Sequence, residues 1–288
     1  KKLRFFFHLR DELVELACDC DKVLLMDSSG FNLPLAKKLR ETYPDKEIIY
    51  YILPQVWAWK PHRVAQIEKY CTVLASILPF EQQFYTKATY VGHPLLDEIP
   101  LFKLRADKEG AIAFLPGSRK SEIQKLMPIF NELASKFVGK ERLLVIPPHL
   151  DAHDIAKMYG NVGAFTLCRN TYEAFDKSEF AFVCSGTATL EAALVGVPFV
   201  LAYKAKAIDY WLAKKFVKLK HVGLANILFD FANLESLHEE LLQEDVNVEN
   251  LLRVYEATDK EAFVEHAKKL RGMLEHGAQE AMIKIMKV

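Results

Sequence analysis

Lys22-Val23-Leu24-Leu25-Met26-Asp27-Ser28-Ser29-Gly30-Phe31-Asn32 decides the fold. Its first half is a short apolar run without polar alternation, the mark of a strand covered on both faces. Small and polar residues follow at once, and Asn32 to Thr42 has the spacing of a helix. The same unit recurs outward: Glu47–Leu53 reads as a strand, Arg63–Tyr70 as a short helix, and Thr72–Leu78 as a strand again. Buried strands separated by amphipathic helices indicate a parallel sheet clothed by helices.

The pattern breaks between Asp97 and Gly110, where Pro100 precedes the charged stretch Lys103–Glu109. That break places a domain boundary, with a first domain over residues 1–104 and a second over 105–288. Alternation then restarts. Ala111–Leu115, Arg142–Ile146, Phe180–Cys184 and Pro198–Tyr203 read as strands, and Lys120–Phe137 and Thr187–Val195 as helices. Beyond about Leu234 the chain reads as mostly helical, with one long helix expected over Asp259–His276. The length of 288 residues suits two domains, and no repeat of fixed period is present.

Lysine plus arginine and aspartate plus glutamate number 38 each, so no overall field draws the chain to nucleic acid. The five cysteines are scattered and odd in number, which fits free thiols rather than a disulfide framework. The basic and apolar start, Lys1 to Phe7, lacks the small-residue cleavage site of a leader. Uncharged runs such as Ile48–Trp59 are too short to span a bilayer. A soluble or peripheral cytoplasmic protein is expected.

In open α/β sheets ligands sit beyond the carboxyl ends of the strands. Three strand ends carry chemistry. Asp27 follows the first strand, where partial burial would raise its pKa and suit it as a general base; as a turn residue it would instead cap the next helix. Leu115-Pro116-Gly117-Ser118-Arg119 joins a backbone turn, a hydroxyl and a bidentate cation ahead of a helix, which is a phosphate site by physics. Cys184-Ser185-Gly186-Thr187-Ala188-Thr189-Leu190-Glu191 runs from strand to helix through small hydroxyl residues, with Glu191 able to accept bonds from a ribose. Two such turns in one domain suit a nucleoside diphosphate. No dinucleotide or ATP signature is present, and Asp19-Cys20-Asp21 precedes a strand and reads as a solvated turn.

Five segments together resemble lipid-A-disaccharide synthase. They are Asp27–Asn32; Pro54-Gln55-Val56-Trp57-Ala58-Trp59; Leu78–Glu81 with Val91–Pro94; Leu115–Arg119 with Glu122; and Ser185–Glu191 continuing to Tyr203 and Asn226. The resemblance implies a GT-B fold, two Rossmann-like domains facing a cleft with the donor on the second. It implies transfer from UDP-2,3-diacylglucosamine to 2,3-diacylglucosamine 1-phosphate with inversion, no metal and no cofactor. By position it makes Asp27 and Arg119 catalytic. Gly117, Ser118, Ser185, Gly186, Thr187, Glu191, Tyr203 and Asn226 fall on the donor side. Gln55, Trp57 and His93 are acceptor-side residues, His93 being more often structural beside Pro94. Family members begin with a strand and loop that would precede Lys1, so the first strand of the acceptor domain is expected to be missing. A homodimer is compatible with the resemblance. The other readings are a different GT-B UDP-sugar enzyme, such as a lipid II-type N-acetylglucosaminyltransferase or an epimerase, and a UDP- or lipid-binding fragment without turnover.

Acylated substrates place the enzyme on the cytoplasmic face of the inner membrane. Two segments pair aromatics with cations, as an interfacial helix does. One is Lys1–Ala17, with Leu3, Phe6, Phe7, Leu13 and Leu16 on one face. The other is Tyr203–Lys220, with six lysines around Tyr210, Trp211 and Phe216.

Overall fold

The computed structural model describes residues 2–99, 101–107, 109–205 and 219–287. Most of the basic segment between Tyr203 and Lys220 therefore lies outside the described residues. The chain forms two units: one contains the residues up to Asp97 together with those from Leu274, and the other runs Glu98–Met273.

The first unit opens with α1 (Lys2–Leu16) and holds a four-stranded parallel sheet in the order β1 (Lys22–Met26), β2 (Glu47–Tyr51), β3 (Val73–Ser76), β4 (Ala88–Tyr90). Helices α2 (Ser29–Thr42) and α3 (Arg63–Tyr70) make the crossovers, and α4 (Pro94–Glu98) follows β4. Leu25, Tyr50 and Leu74 stand in register on one face and pack against Leu33, Ala36, Leu39 and Ile67. The other face, with Ile49 and Ala75, is covered by the last helix, α12 (Ala278–Met286), through Met282 and Ile285. Polar contacts hold both ends of α12. The Asp97 carboxylate accepts from the backbone of Gly277 at 2.7 Å and Gln279 at 2.9 Å at its start. The Lys22 ammonium donates to the carbonyls of Ile285 at 3.1 Å and Lys287 at 2.9 Å at its end. A carboxylate at a helix start and a cation at its end both suit the helix dipole.

The second unit is a six-stranded parallel sheet. Its order is β10 (Glu240–Leu242), β9 (Phe199–Tyr203), β8 (Ser178–Cys184), β5 (Ala111–Leu115), β6 (Arg142–Val145), β7 (Thr166–Cys168). All residues of β5 and β8 are buried, including Ser178 and Glu179 at the start of β8, ahead of its apolar run Phe180–Cys184. The core on one face is aromatic: Phe114 stacks on Phe182 at 5.3 Å and meets Phe130 of α5 (Lys120–Ala134) edge-on at 5.4 Å. The chain passes outward from β5 through α5 and α6 (Ala152–Tyr159) to β7, and α7 (Thr171–Lys177) brings it back to β8. It then passes the other way through α8 (Thr187–Val195), β9 and α9 (Leu224–Phe231) to β10. The order therefore reverses between β5 and β8. That pair is the switch point at which doubly wound sheets bind ligands.

The structure differs from the sequence reading in two places. The unit boundary lies at Asp97/Glu98 rather than at residue 104, and residues from Leu274 return to the first sheet. The long helix expected over Asp259–His276 is present as α11 (Lys260–Met273), and a separate last helix, α12, follows after Gly277, whose φ of +93° suits glycine. Strands β4, β7 and β10, three residues each, and helices α6 and α7 are too short to stand out in periodicity.

Glu179, 1% exposed at the amino end of β8, ties the second unit together. It accepts bonds from Gly110 N at 3.0 Å, the Lys140 ammonium at 2.7 Å, the Tyr255 hydroxyl of α10 (Val248–Ala257) at 2.6 Å and the Lys260 ammonium at 3.1 Å. Burial pushes its pKa up, but the bonds from Lys140, Tyr255 and Lys260 together outweigh burial and hold it below the usual carboxylate range. Replacing Glu179 by Ala should cost about 3 kcal/mol in urea unfolding, the low end for a broken buried ion pair, since both lysines can turn to water. A depressed folded pKa gives stability that is complete above the unfolded value of about 4.3 and is lost as pH falls through the folded one. The difference between wild type and variant should therefore shrink on acidification below that value. A constant difference would mean that charge is not the cause.

Candidate active site

In the second unit the carboxyl ends of β5, β8 and β9 lie side by side, with Leu115 opposite Val183 and Cys184 opposite Ala202. The two glycine turns are therefore neighbours. Gly117 has φ +96°, and a Cβ there would stand 2.8 Å from a Glu122 carboxylate oxygen and 3.0 Å from the Cys184 sulfur. Only glycine lets the 116–119 turn close against the end of β8. Burial pushes the Cys184 thiol up to about 12, so it packs as a neutral side chain.

Arg119 occupies the N-cap of α5. Its backbone N–H donates to Glu122 at 3.3 Å and its guanidinium reaches the same carboxylate at 2.7 Å. The side chain is 76% exposed while Glu122 is 9% exposed, so the arginine is pinned at one edge and leaves its other donors outward. Ser118 is exposed beside it. Across from it, α8 starts at Gly186 without a side-chain cap, and Gly186 has open space over its Cα. The first N–H groups of a helix lack i−4 partners, so this end is positive. Ser185 is half-buried and Thr187 exposed. Thr189 is turned inward, its hydroxyl donating to the Gly186 carbonyl at 2.8 Å. Tyr203 ends β9, half-buried. Gly117, Ser118, Arg119, Ser185, Gly186, Thr187 and Tyr203 are thus gathered at the ends of three adjacent strands. Glu191 lies further along α8, half-buried. Burial and nearby Glu98 raise its pKa, and a hydrogen bond with Tyr172 opposes them.

Asn226 differs from expectation. It is 0% exposed, and its amide is fully engaged inside the protein. Its oxygen accepts from the backbone of Leu237 at 2.8 Å and His238 at 3.3 Å, and its nitrogen donates to the His238 carbonyl at 3.0 Å and to Glu240 at 2.9 Å. These four bonds use the amide's donors and lone pairs and hold the turn into β10.

In the first unit, Asp27, Gln55, Trp57 and His93 all follow carboxyl ends of strands. Asp27 is exposed rather than partly buried. Asp27 and Ser28 have φ of 47° and 40°, consecutive non-glycine residues in the left-handed region. Such strain costs on the order of 1–3 kcal/mol per residue and gathers at functional sites. Here the surroundings enforce it. The Asp27 carbonyl accepts from the Tyr50 hydroxyl at 2.6 Å and the Asn32 amide at 2.9 Å, while Asn32 also binds the Met26 carbonyl at 2.8 Å. The turn is held by its backbone, which leaves the carboxylate free to act.

Trp57 is half-buried. Its indole N–H donates to the Glu81 carboxylate at 3.2 Å and its ring meets Phe80 edge-on at 5.2 Å. Glu81 also accepts from Leu78 N at 3.3 Å, and burial pushes its pKa up to about 7. Gln55 is exposed. His93 is buried, with its pKa pushed down to about 4 by burial, and its Nδ1 accepts from Leu95 N at 3.3 Å. A neutral histidine capping α4 is structural. Arg63, which sequence reasoning passed over, reaches Ser29 Oγ at 3.0 Å beside Asp27. Their separation of 34 residues gives no sequence signal of that meeting.

A model of the lipid-A-disaccharide synthetase family matches residues 1–285. The lipid-A-disaccharide synthase of Campylobacter jejuni strain RM1221 is 51% identical over 286 residues, covering 96% of this chain and 78% of that protein. That of Helicobacter acinonychis strain Sheeba is 47% identical over 290 residues, covering 96% and 80%. Among solved structures, the calicheamicin glycosyltransferase superposes with a TM-score of 0.60 at 14% identity, covering 98% of this chain and 79% of its own. The Neisseria meningitidis UDP-GlcNAc 2-epimerase, bound to UDP-GlcNAc, gives 0.55 at 12%, covering 99% and 81%. The chain thus has the GT-B fold, with one parallel Rossmann-like sheet in each unit. A transferase and an epimerase share it, so the fold by itself does not choose between them.

Proposed function

The chain belongs to the lipid-A-disaccharide synthase family, and from that membership we propose how its residues carry out the transfer. It is a glycosyltransferase that makes the lipid A disaccharide. The donor is UDP-2,3-diacylglucosamine, the acceptor is 2,3-diacylglucosamine 1-phosphate, and UDP leaves.

Asp27 takes the proton from the acceptor 6-hydroxyl as its oxygen attacks the anomeric carbon. Attack opposite the leaving group inverts that centre and yields a β-1',6 link. The departing diphosphate needs positive charge, which Arg119 and the N–H groups of residues 185–187 supply. With those donors in place the reaction needs no metal. Ser118, Thr187 and Tyr203 complete the donor cradle, and Gln55 and Trp57 line the acceptor side. The observation that carries this reading is the pairing of two glycine turns at the β5/β8 switch point, with Arg119 beside them. The test is incubation with both acylated sugars and mass spectrometry of the product. A tetraacyl disaccharide phosphate is expected. Release of UDP or of an altered sugar without acceptor would instead mark an epimerase.

Among the described residues no helix is long and apolar enough to cross a membrane. We read the enzyme as peripheral on the cytoplasmic face of the inner membrane, held partly by α1. Phe5, Phe6 and Phe7 are exposed there, at 61%, 47% and 49%, with Arg4 and Arg10 on the same helix. Exposed aromatics beside cations suit the lipid headgroup boundary. Changing all three phenylalanines to Ser should weaken sedimentation with anionic vesicles at least tenfold while leaving the melting temperature within a few degrees. Equal sedimentation would remove α1 as an anchor.

A further inference from the structure

The clearest unanswered charge in the first unit lies beside Asp27. Arg63 is half-buried at the start of α3, donates one N–H to Ser29 Oγ at 3.0 Å, and has its guanidinium 5.9 Å from the Trp59 ring centroid. Lys60 is also half-buried, with its ammonium 3.7 Å from the centroid of the same ring. Lys60 is set there by a left-handed backbone, φ 56°. Among the described residues, neither cation has a carboxylate within ion-pairing distance. By contrast Lys140 and Lys260 share Glu179, Arg119 meets Glu122, and Lys22 caps α12 and meets Glu47 at 3.4 Å. A half-buried arginine that keeps most of its fork free is suited to a planar or tetrahedral oxyanion.

We propose that Arg63, with Lys60 and the Ser29 hydroxyl, binds the phosphomonoester of the acceptor sugar. The inference rests on the proposed function, and deepens it by assigning the acceptor's anionic end. Ser29 is two residues from Asp27 at the same strand end. The proposed base and the cation are therefore offered from the same strand end, as the 6-hydroxyl and the anomeric phosphate are carried on one hexosamine ring. Ser29 accepts from Arg63, so its own O–H is free to donate to a phosphate oxygen. The indole of Trp59, 47% exposed, holds the Lys60 ammonium over its ring face. The subsite distinguishes a phosphorylated acceptor from the same diacylglucosamine without phosphate.

Two measurements test this. The first compares kcat/KM for 2,3-diacylglucosamine 1-phosphate and for its dephosphorylated form in wild type, R63A and R63K. Wild type should favour the phosphorylated acceptor. R63A should lower that preference at least tenfold, through the acceptor KM, with the donor KM unmoved; R63K should recover part of it. An R63A loss that is equal for both acceptors, or that falls on the donor KM, would leave Arg63 as a tie between α2 and α3 and overturn the assignment. The second is a phosphorus NMR titration of glucosamine 1-phosphate into the same proteins. Broadening in wild type and its loss in R63A support the subsite, and identical titrations overturn it. Should wild type make no disaccharide at all, the proposed function falls, while the titration still decides the phosphate subsite.

Discussion

Asp27→Asn lowers kcat for disaccharide formation by about 100- to 10,000-fold, the range for loss of a general base. Asparagine matches aspartate in shape and tolerates a left-handed backbone, so the strained turn at φ 47° survives the change. The turn is held through the Asp27 carbonyl by Tyr50 and Asn32, and neither bond involves the carboxylate. The variant should therefore melt with wild type and bind UDP unchanged. The loss should fall on kcat rather than on the donor KM, since a base acts on the acceptor hydroxyl in the transition state. Alanine at this position is a poorer probe, because it adds backbone strain to the chemical loss. A folded Asp27→Asn protein that turns over at the wild-type rate would remove Asp27 from the mechanism.

Arg119→Ala should lower kcat by about 100- to 1,000-fold, as loss of one preorganised donor to a developing charge does elsewhere. Its structural cost should be small. The side chain is 76% exposed, and the α5 cap retains the bond from the residue 119 backbone N–H to Glu122. Lysine at 119 keeps the charge but loses the planar fork, and should recover part of the rate and little of the geometry. Single-turnover assays with preformed enzyme–donor complex would separate chemistry from donor binding. If only the donor Kd changed, Arg119 would be a binding residue alone.

Much of this was legible along the chain. The strands β5 and β8 announce themselves through the apolar runs Ala111–Leu115 and Phe180–Cys184, which suit burial on both faces; that β8 starts two residues earlier, at Ser178 and Glu179, was not legible, because Glu179 is buried only through distant partners. The turn at Gly117 was legible for a related reason: a close approach of strand end and helix start admits only glycine, and the added Cβ would stand 2.8 Å from Glu122. Asp27, Arg119 and the 185–187 turn were singled out because ligands of such sheets sit beyond the strand ends. The internal bonding of Asn226 was not legible. Its partners, Leu237, His238 and Glu240, lie 11 to 14 residues away, and no local pattern shows that they fill its amide. Arg63 was overlooked for the same cause, its contact with Ser29 being a product of how α2 and α3 pack.

The amino-acid order by itself determined that two helix-covered parallel sheets form, where each turns, and which turns carry a carboxylate or an anion cradle. Those are properties of local periodicity and of single residues. Tertiary structure alone decided that β5 and β8 are neighbours, so that two separate turns stand side by side, and that α12 returns to cover Ile49 and Ala75. It also decided which cations are already paired and which are left over. Each of these depends on contacts between residues far apart in the chain, where burial and hydrogen bonding are settled by packing rather than by neighbours in sequence.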